Sequence, residues 1–173
     1  MSSKQAYSLI EILVVIVILV IVMLIAIPNL QRLLAANRMS IEVNRLVAAI
    51  NFARYAAISY GQPVTLCPSH DGHRCSQNWS EPKLIFIDLE KNQRLESGDK
   101  LLRVIPALAG HAKLSWRGFH SQRALRFTPM GWGASLSGRF IYQQQGFEGN
   151  LGRIIVLNRL GRVRIEALSG QHR

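Results

Sequence analysis

Four side chains that bind metals or form covalent bonds lie within nine positions of the chain, Cys67, His70, His73 and Cys75. Thiolates and imidazole nitrogens are the usual ligands of a structural zinc site. The spacing Cys-x2-His-x2-His-x-Cys matches no standard zinc finger, and so short a segment cannot easily wrap a tetrahedral ion. The cysteines could instead form a disulfide or remain free thiols. The residues alone leave these three possibilities open.

A group of carboxylates between positions 88 and 99 is a second candidate for metal binding, because oxygen ligands at such spacing recur in calcium loops. Its members are Asp88, Glu90, Glu96 and Asp99. Three basic residues interleave with them, Lys91, Arg94 and Lys100. Because this cancels the charge, a solvated hairpin is favoured over a calcium site. The sequence has no Gly-rich phosphate loop, no G-x-S-x-G and no His-Glu-x-x-His. We therefore predict no catalytic residues and no cofactor, and, with the disulfide that is favoured below, no metal.

Several arginines near the C-terminus fall in a strand–turn–strand pattern. A strand is predicted over 153–157, a turn over 158–161 and a returning strand from 162. Gly161 can take the positive φ that such a turn requires. Arg153 and Arg159 belong to the first strand and the turn. The pattern therefore predicts a basic hairpin.

Arg162 and Arg164 are the sharpest feature of this hairpin. Alternate residues of a strand point to the same face, so these two should lie about 7 Å apart, while Val163 and Ile165 face the core. That separation is close to the spacing of successive phosphates along one DNA strand. Arginine also binds phosphate through two parallel hydrogen bonds. The hairpin thus predicts contact with a phosphate backbone.

The charge of the whole chain is unevenly distributed. The net charge is +11 over 173 residues, but residues 1–99 carry a net charge of only +1. Residues 100–173 carry 12 basic and 2 acidic side chains, a net charge of +10. A merely solvated surface would mix the signs. This half of the chain therefore predicts an acidic partner, which could be nucleic acid, anionic lipid or an acidic protein.

The opposite end of the chain is apolar. Residues 12–27 are all apolar, and the apolar stretch that starts at Leu9 is interrupted only by Glu11. A helix over 9–27 would rise about 28 Å, close to the hydrocarbon thickness of a bilayer. We predict a transmembrane helix. A carboxylate near the end of such a span is costly unless paired, so Glu11 either marks the membrane boundary or has a functional partner.

The remaining chain predicts an α+β fold, in which a long N-terminal helix packs on antiparallel β-sheets. A helical stripe of apolar residues continues over 29–60, at Val43, Leu46, Val47, Ile50, Ala53, Ala57 and Ile58. Gly61 and Pro63 end this helix. Strands are predicted at 64–67, 84–89, 101–105, 112–117, 124–128, 138–143, 153–158 and 162–167.

Residues 4–11, Lys-Gln-Ala-Tyr-Ser-Leu-Ile-Glu, resemble the cleavage site of type IV prepilins and pseudopilins. That site has a charged leader, a small residue before the cut, an aromatic residue after it and Glu at the fifth mature position. The resemblance implies cleavage by a prepilin peptidase between Ala6 and Tyr7, which stand where Gly and Phe are usual. It also implies that Glu11 pairs with the N-terminal amine of a mature Tyr7. Pro28 matches a helix-disturbing proline of the family.

The resemblance implies four segments and a location. The segments are a leader at 1–6, a transmembrane and assembly helix at 7–28, its amphipathic continuation at 29–61 and a globular β domain at 62–173. Cleavage on the cytoplasmic side places the β domain in the periplasm while the chain is anchored in the bacterial inner membrane. After assembly the domain would lie in, or at the tip of, an extracellular pilus. An oxidising compartment favours the disulfide between Cys67 and Cys75.

Segments 53–67, 86–104 and 127–131 resemble one subfamily, the FimT/GspH-like minor pilins. The segment 161–164, Gly-Arg-Val-Arg, resembles the Gly-Arg-x-Arg motif of FimT-type pilins, which bind DNA in natural transformation. The resemblance implies a minor type IV pilin whose partners are other pilins and DNA of any sequence. The residues expected to bind DNA are Arg153, Arg159, Gly161, Arg162 and Arg164.

A second reading of the same resemblance needs no DNA. The protein could be a minor pseudopilin of a type II secretion system or a structural subunit that primes a pilus. Its basic surface would then meet acidic faces of partner pilins.

Overall fold

The computed structural model describes residues 9–110, 112–118, 123–133, 136–144 and 151–168. Within these residues the chain forms one long helix, α1 (Leu9–Tyr60), followed by eight strands. The strands are β1 (Val64–Pro68), β2 (Lys83–Ile87), β3 (Lys100–Ile105), β4 (Ala112–Gly118), β5 (Leu125–Phe127), β6 (Gly138–Gln144), β7 (Gly152–Leu157) and β8 (Val163–Ala167). They match the predicted strands in order, with ends that differ by one or two residues. The predicted cleavage residues Ala6 and Tyr7 lie outside the described residues.

The chain divides into two compact units, Met1–Asn37 and Arg38–Arg173. In the first unit, residues 9–34 of α1 are exposed in the isolated chain, Glu11 in the first turn among them. Among the described residues, α1 is the one helix long and apolar enough to cross a membrane. Pro28 lies inside this helix. The exposed apolar surface is what a membrane-embedded helix requires.

The second unit contains two four-stranded sheets. Their strand orders are β3-β2-β1-β5 and β4-β6-β7-β8, and every pairing is antiparallel. The predicted α+β fold, with a long helix packed on antiparallel sheets, is confirmed. The strands of the second sheet follow chain order, except that β5 is skipped. β5 instead joins the first sheet, where it pairs with β1.

Among the described residues, the larger of two apolar clusters joins the second part of α1 to both sheets. Buried helix residues such as Val43, Leu46 and Ile50 belong to the same cluster as strand residues such as Ile85 and Ile155. The predicted helical stripe is correct except at its end, where Ile58 is 50% exposed. Ile58 follows the buried Ala57 and so lies about 100° further round the helix.

Cys67 and Cys75 form a disulfide, with their Cα atoms 5.5 Å apart. Asp71 organises the intervening loop, because its carboxylate accepts hydrogen bonds from the backbone N–H groups of Arg74 (2.8 Å) and His73 (2.9 Å). These bonds lower the pKa of Asp71 to about 2. Since both thiols are consumed, this loop cannot provide the four-ligand zinc site considered above.

Asp88, the first of the candidate calcium ligands, is fully buried. Its carboxylate accepts hydrogen bonds from the Thr65 hydroxyl (2.8 Å) and from the backbone N–H groups of Asn92 (3.0 Å) and Gln93 (3.3 Å). The Arg126 guanidinium lies 3.6 Å away. The expectation of a solvated hairpin is therefore wrong for Asp88, which holds the loop after β2 in place. In the described part of the chain, no group of three or more His, Cys, Asp or Glu side chains could hold a metal ion.

Candidate functional site

The basic hairpin is built from β7 and β8, and its turn is held by one asparagine. The Asn158 carbonyl accepts a hydrogen bond from the Gly161 N–H (2.9 Å), and the Asn158 N–H donates to the Arg162 carbonyl (3.1 Å). Its side-chain Oδ1 accepts from the N–H groups of Leu160 (3.0 Å) and Arg162 (2.9 Å). This is a three-residue hairpin loop that ends in a left-handed residue. The predicted turn is therefore present, at the predicted residues.

Gly161 has a φ of 72°, as the turn requires. A Cβ added there would lie 3.2 Å from both Arg54 Cδ and Phe127 Cε1. Because Gly161 is buried, it serves the site by shaping the turn rather than by offering a group to a ligand.

Arg162 and Arg164 both lie at the surface. Arg164 pairs in register with Val156 of β7, and its side chain is 76% exposed. Val163 packs partly against the core, as expected. Ile165 pairs with the buried Ile155 and so lies on the core side of the sheet, as expected, although it is 45% exposed. Within the described residues, β8 has a neighbouring strand on one side only, which leaves this side chain partly uncovered.

The other two predicted arginines lie in different surroundings. Arg159 is exposed in the turn, with its guanidinium carbon 5.7 Å from the centre of the Trp132 ring, a cation–π distance. Arg153 pairs with the buried Tyr142 and therefore lies on the core side of the sheet. Its Nη1 donates to the Gly152 carbonyl (3.3 Å). The structure thus brings together Arg159, Arg162 and Arg164, which we call the arginine patch, and leaves Arg153 on the other face.

One carboxylate accompanies the arginine patch. Glu166 Oε1 lies 2.5 Å from Arg164 Nη2, and the two side chains are 40% and 76% exposed. Exposed ion pairs contribute little free energy, about 0.2–1 kcal/mol, so a phosphate can displace Glu166. The sequence contained the signal for this pair, because residues two apart on a strand share a face.

A buried lysine in the first sheet was missed by the sequence analysis. Lys83, at the start of β2, is only 3% exposed, and its Nζ donates to the Glu81 carbonyl (3.0 Å). Burial lowers the pKa of Lys83 to about 8, against the opposing effect of the Glu42 carboxylate. Glu42 itself is held by Arg45, with Nη1 and Oε1 2.9 Å apart.

Lys83 makes the stability of the fold depend on pH. An unfolded lysine has a pKa of about 10.4, so between pH 8 and pH 10 the unfolded chain binds more protons than the folded chain. We expect the free energy of unfolding to rise with pH in this window, and Lys83→Met to remove the rise. Urea unfolding of the full chain in nonionic detergent at pH 7, 8.5 and 9.5 measures this. An equal rise in the variant would exclude Lys83 as its source. Above pH 10, Tyr142 opposes the trend, because burial raises its pKa.

Comparison with known proteins places this geometry in a family. Residues 42–161 match the model of the family described as type II transport protein GspH, and residues 1–27 match the prokaryotic N-terminal methylation motif. Crystal structures of the type IV minor pilin FimU from Pseudomonas aeruginosa PAO1 have the same fold. One matches with a TM-score of 0.55 and 20% identity over 75% of this chain and 89% of that chain. A second crystal form matches with a TM-score of 0.50 and 21% identity over 71% and 88%. A search of curated proteins gave no match.

These matches have consequences for the N-terminal helix. The methylation motif covers the apolar part of α1, which together with the pilin family indicates membrane anchoring and assembly into a pilus or pseudopilus. The family also implies processing by a prepilin peptidase and association with other pilins. Because the GspH model covers well over half of the sequence, the chain belongs to the GspH family, and its fold is the one seen in the type IV minor pilin FimU.

Proposed function

We propose that this minor pilin binds DNA without sequence preference through the arginine patch, and that it serves DNA uptake in natural transformation. The observation that carries this proposal is the convergence of Arg159, Arg162 and Arg164 on one turn and the strand that follows it. Glu166 is the single acidic residue between positions 151 and 168. A cluster of this kind attracts the phosphate backbone.

The geometry favours contact with phosphate over recognition of bases. The patch lies on a turn and on an edge strand, and side chains in such positions can reach phosphates without entering a groove. Phosphate contacts position a protein on DNA but carry no sequence information. Uptake of arbitrary DNA needs that property.

The N-terminal steps complete the proposal. Cleavage between Ala6 and Tyr7 would free an amine, and the Glu11 carboxylate would pair with this amine in the same subunit or in a neighbouring one. The pair would neutralise a charge that is costly in lipid. The β domain would then lie on the periplasmic side of the inner membrane and later on the pilus.

Salt-dependent binding by the full chain in nonionic detergent tests the DNA proposal. We expect micromolar affinity, within twofold for two duplexes of unrelated sequence, by fluorescence anisotropy. Each phosphate contact contributes about −0.9 to the slope of log K against log salt, so three arginines predict a slope of about −2.7 or steeper. Binding that does not change with salt would exclude this mechanism.

The family match itself supports a second candidate, a pseudopilin of a type II secretion system, since GspH is described as a type II transport protein. In that role the patch would contact acidic faces of other pseudopilins. A deletion strain separates the two functions, because loss of transformation with intact secretion supports the first and the reverse supports the second.

A further inference from the structure

The second sheet carries a row of arginines on its outer face, the face turned away from the core. Strand register places Arg117 of β4 opposite Arg139 of β6, Arg139 opposite Val156 of β7, and Val156 opposite Arg164 of β8. Residues paired in this way point to the same face of a sheet. We call Arg117, Arg139 and Arg164 the arginine row. It begins in the arginine patch and crosses the whole sheet.

The row has the dimensions of a short stretch of DNA backbone. Neighbouring strands lie about 4.8 Å apart, so the row extends about 14 Å from β8 to β4. Successive phosphates of one DNA strand lie about 7 Å apart along the backbone, so the row spans about three phosphates. Arg117 and Arg139 are exposed, and Lys113 lies on the same face of β4. Between the arginines the surface consists of half-buried Ile141, Ile154 and Val156.

The arrangement is unfavourable for the sheet itself. Like charges that are directly opposite on neighbouring strands repel each other and destabilise the pair. Within the described part of the chain, neither Arg117 nor Arg139 forms an ion pair that would relieve this repulsion. Proteins keep such unfavourable local arrangements mainly at functional sites. Two arginines that face each other on a solvent-exposed surface therefore indicate a ligand of opposite charge.

We propose that the DNA backbone lies across the outer face of this sheet, roughly perpendicular to the strands, and contacts Arg139 and Arg117 after Arg164. This inference rests on the proposed function and extends its site from the turn to the sheet. The half-buried apolar residues between the arginines would lie under the sugar–phosphate chain. The complete site predicts a salt slope near −4.5, because Arg117 and Arg139 add two contacts to the three of the patch.

The test compares two charge-matched double variants of the full chain. Arg117→Gln with Arg139→Gln is expected to weaken DNA binding 5- to 20-fold in 100 mM salt and to make the slope shallower by about 1.8. Arg74→Gln with Arg94→Gln removes the same charge from two exposed arginines that an isolated backbone bridge places opposite each other elsewhere in the second unit. We expect this control to change the affinity less than twofold. Equal losses in both variants would show an effect of net charge and overturn the row.

A charge reversal separates binding from folding. In Arg139→Glu, the new carboxylate faces Arg117, so the melting temperature should rise while DNA affinity falls further than in the glutamine variant. A rise in melting temperature with unchanged DNA affinity would show that these arginines affect only the stability of the sheet, and it would overturn the inference.

Failure of the row and failure of the proposed function give different results. If the row variant binds like the wild type while a change in the arginine patch weakens binding, the row is rejected and the proposed function stands. If the wild type does not bind DNA, both are rejected.

Discussion

Replacing Arg162 and Arg164 together by alanine is expected to weaken DNA binding 10- to 100-fold and to make the salt slope shallower by about 1.8. Both side chains are exposed and each can form charge-assisted hydrogen bonds with a phosphate, which are the strong class of hydrogen bond. The fold should survive, because neither side chain contributes to the core. Anisotropy titration of the full chain in nonionic detergent measures the loss. Transformation frequency in a strain carrying the variant shows whether DNA uptake follows it.

Two single variants of the same hairpin control this result. Arg153→Ala removes one positive charge from the core side of the sheet, so we expect the affinity for DNA to fall less than threefold. Glu166→Gln removes the carboxylate that pairs with Arg164, so affinity should increase about two- to threefold. If Arg153→Ala weakens binding as strongly as the double variant does, the arginine patch has been placed on the wrong face.

Asp88→Ala is expected to lower the free energy of unfolding by about 3–4 kcal/mol, the range for removing one partner of a buried charged network. The change leaves the Thr65 hydroxyl and two backbone N–H groups without their acceptor. Among the described residues, it also leaves the Arg126 guanidinium with one acceptor, the Lys91 carbonyl at 2.6 Å, since Arg126 Nε is buried there without a partner. Urea unfolding followed by circular dichroism measures the loss.

Glu90→Ala is the matched control for Asp88, since it removes a carboxylate two residues away at the surface. We expect the free energy of unfolding to change by less than about 0.5 kcal/mol, as is typical of surface substitutions. The same experiment with added calcium checks the metal alternative. A large rise in the stability of the wild type with calcium would contradict the structural role that the hydrogen bonds of Asp88 assign to it.

The elements of this fold follow closely from local sequence, but their arrangement does not. The helical period of the apolar residues predicted α1. Short runs of strand-forming residues, bounded by Gly, Asn, Ser and Pro, predicted all eight strands. Nothing local indicates that β5 pairs with β1, because about 60 residues and three strands separate the two elements. Strand order depends on contacts between distant segments, which periodicity does not report.

The candidate site was predictable to the same extent. Gly161 and the alternation of Arg162 with Val163 indicated an exposed basic hairpin. The arginine row was not visible, because the register that places Arg117 opposite Arg139 is set by pairing between separate strands. The buried charges of Lys83 and Asp88 were missed for a related reason. Whether a charged residue is buried depends on which other elements cover it, and polarity alone predicts exposure.

The position of β8 at the end of its sheet gives its arginines a second consequence. An outermost strand presents unpaired backbone groups to which a strand of another molecule can add, and exposed Ile165 would favour such stacking. Charges on an edge strand oppose this addition because two like-charged edges repel each other. We therefore expect Arg162 and Arg164 also to oppose edge-to-edge association between copies of the protein, so that neutralising them would increase the tendency to aggregate.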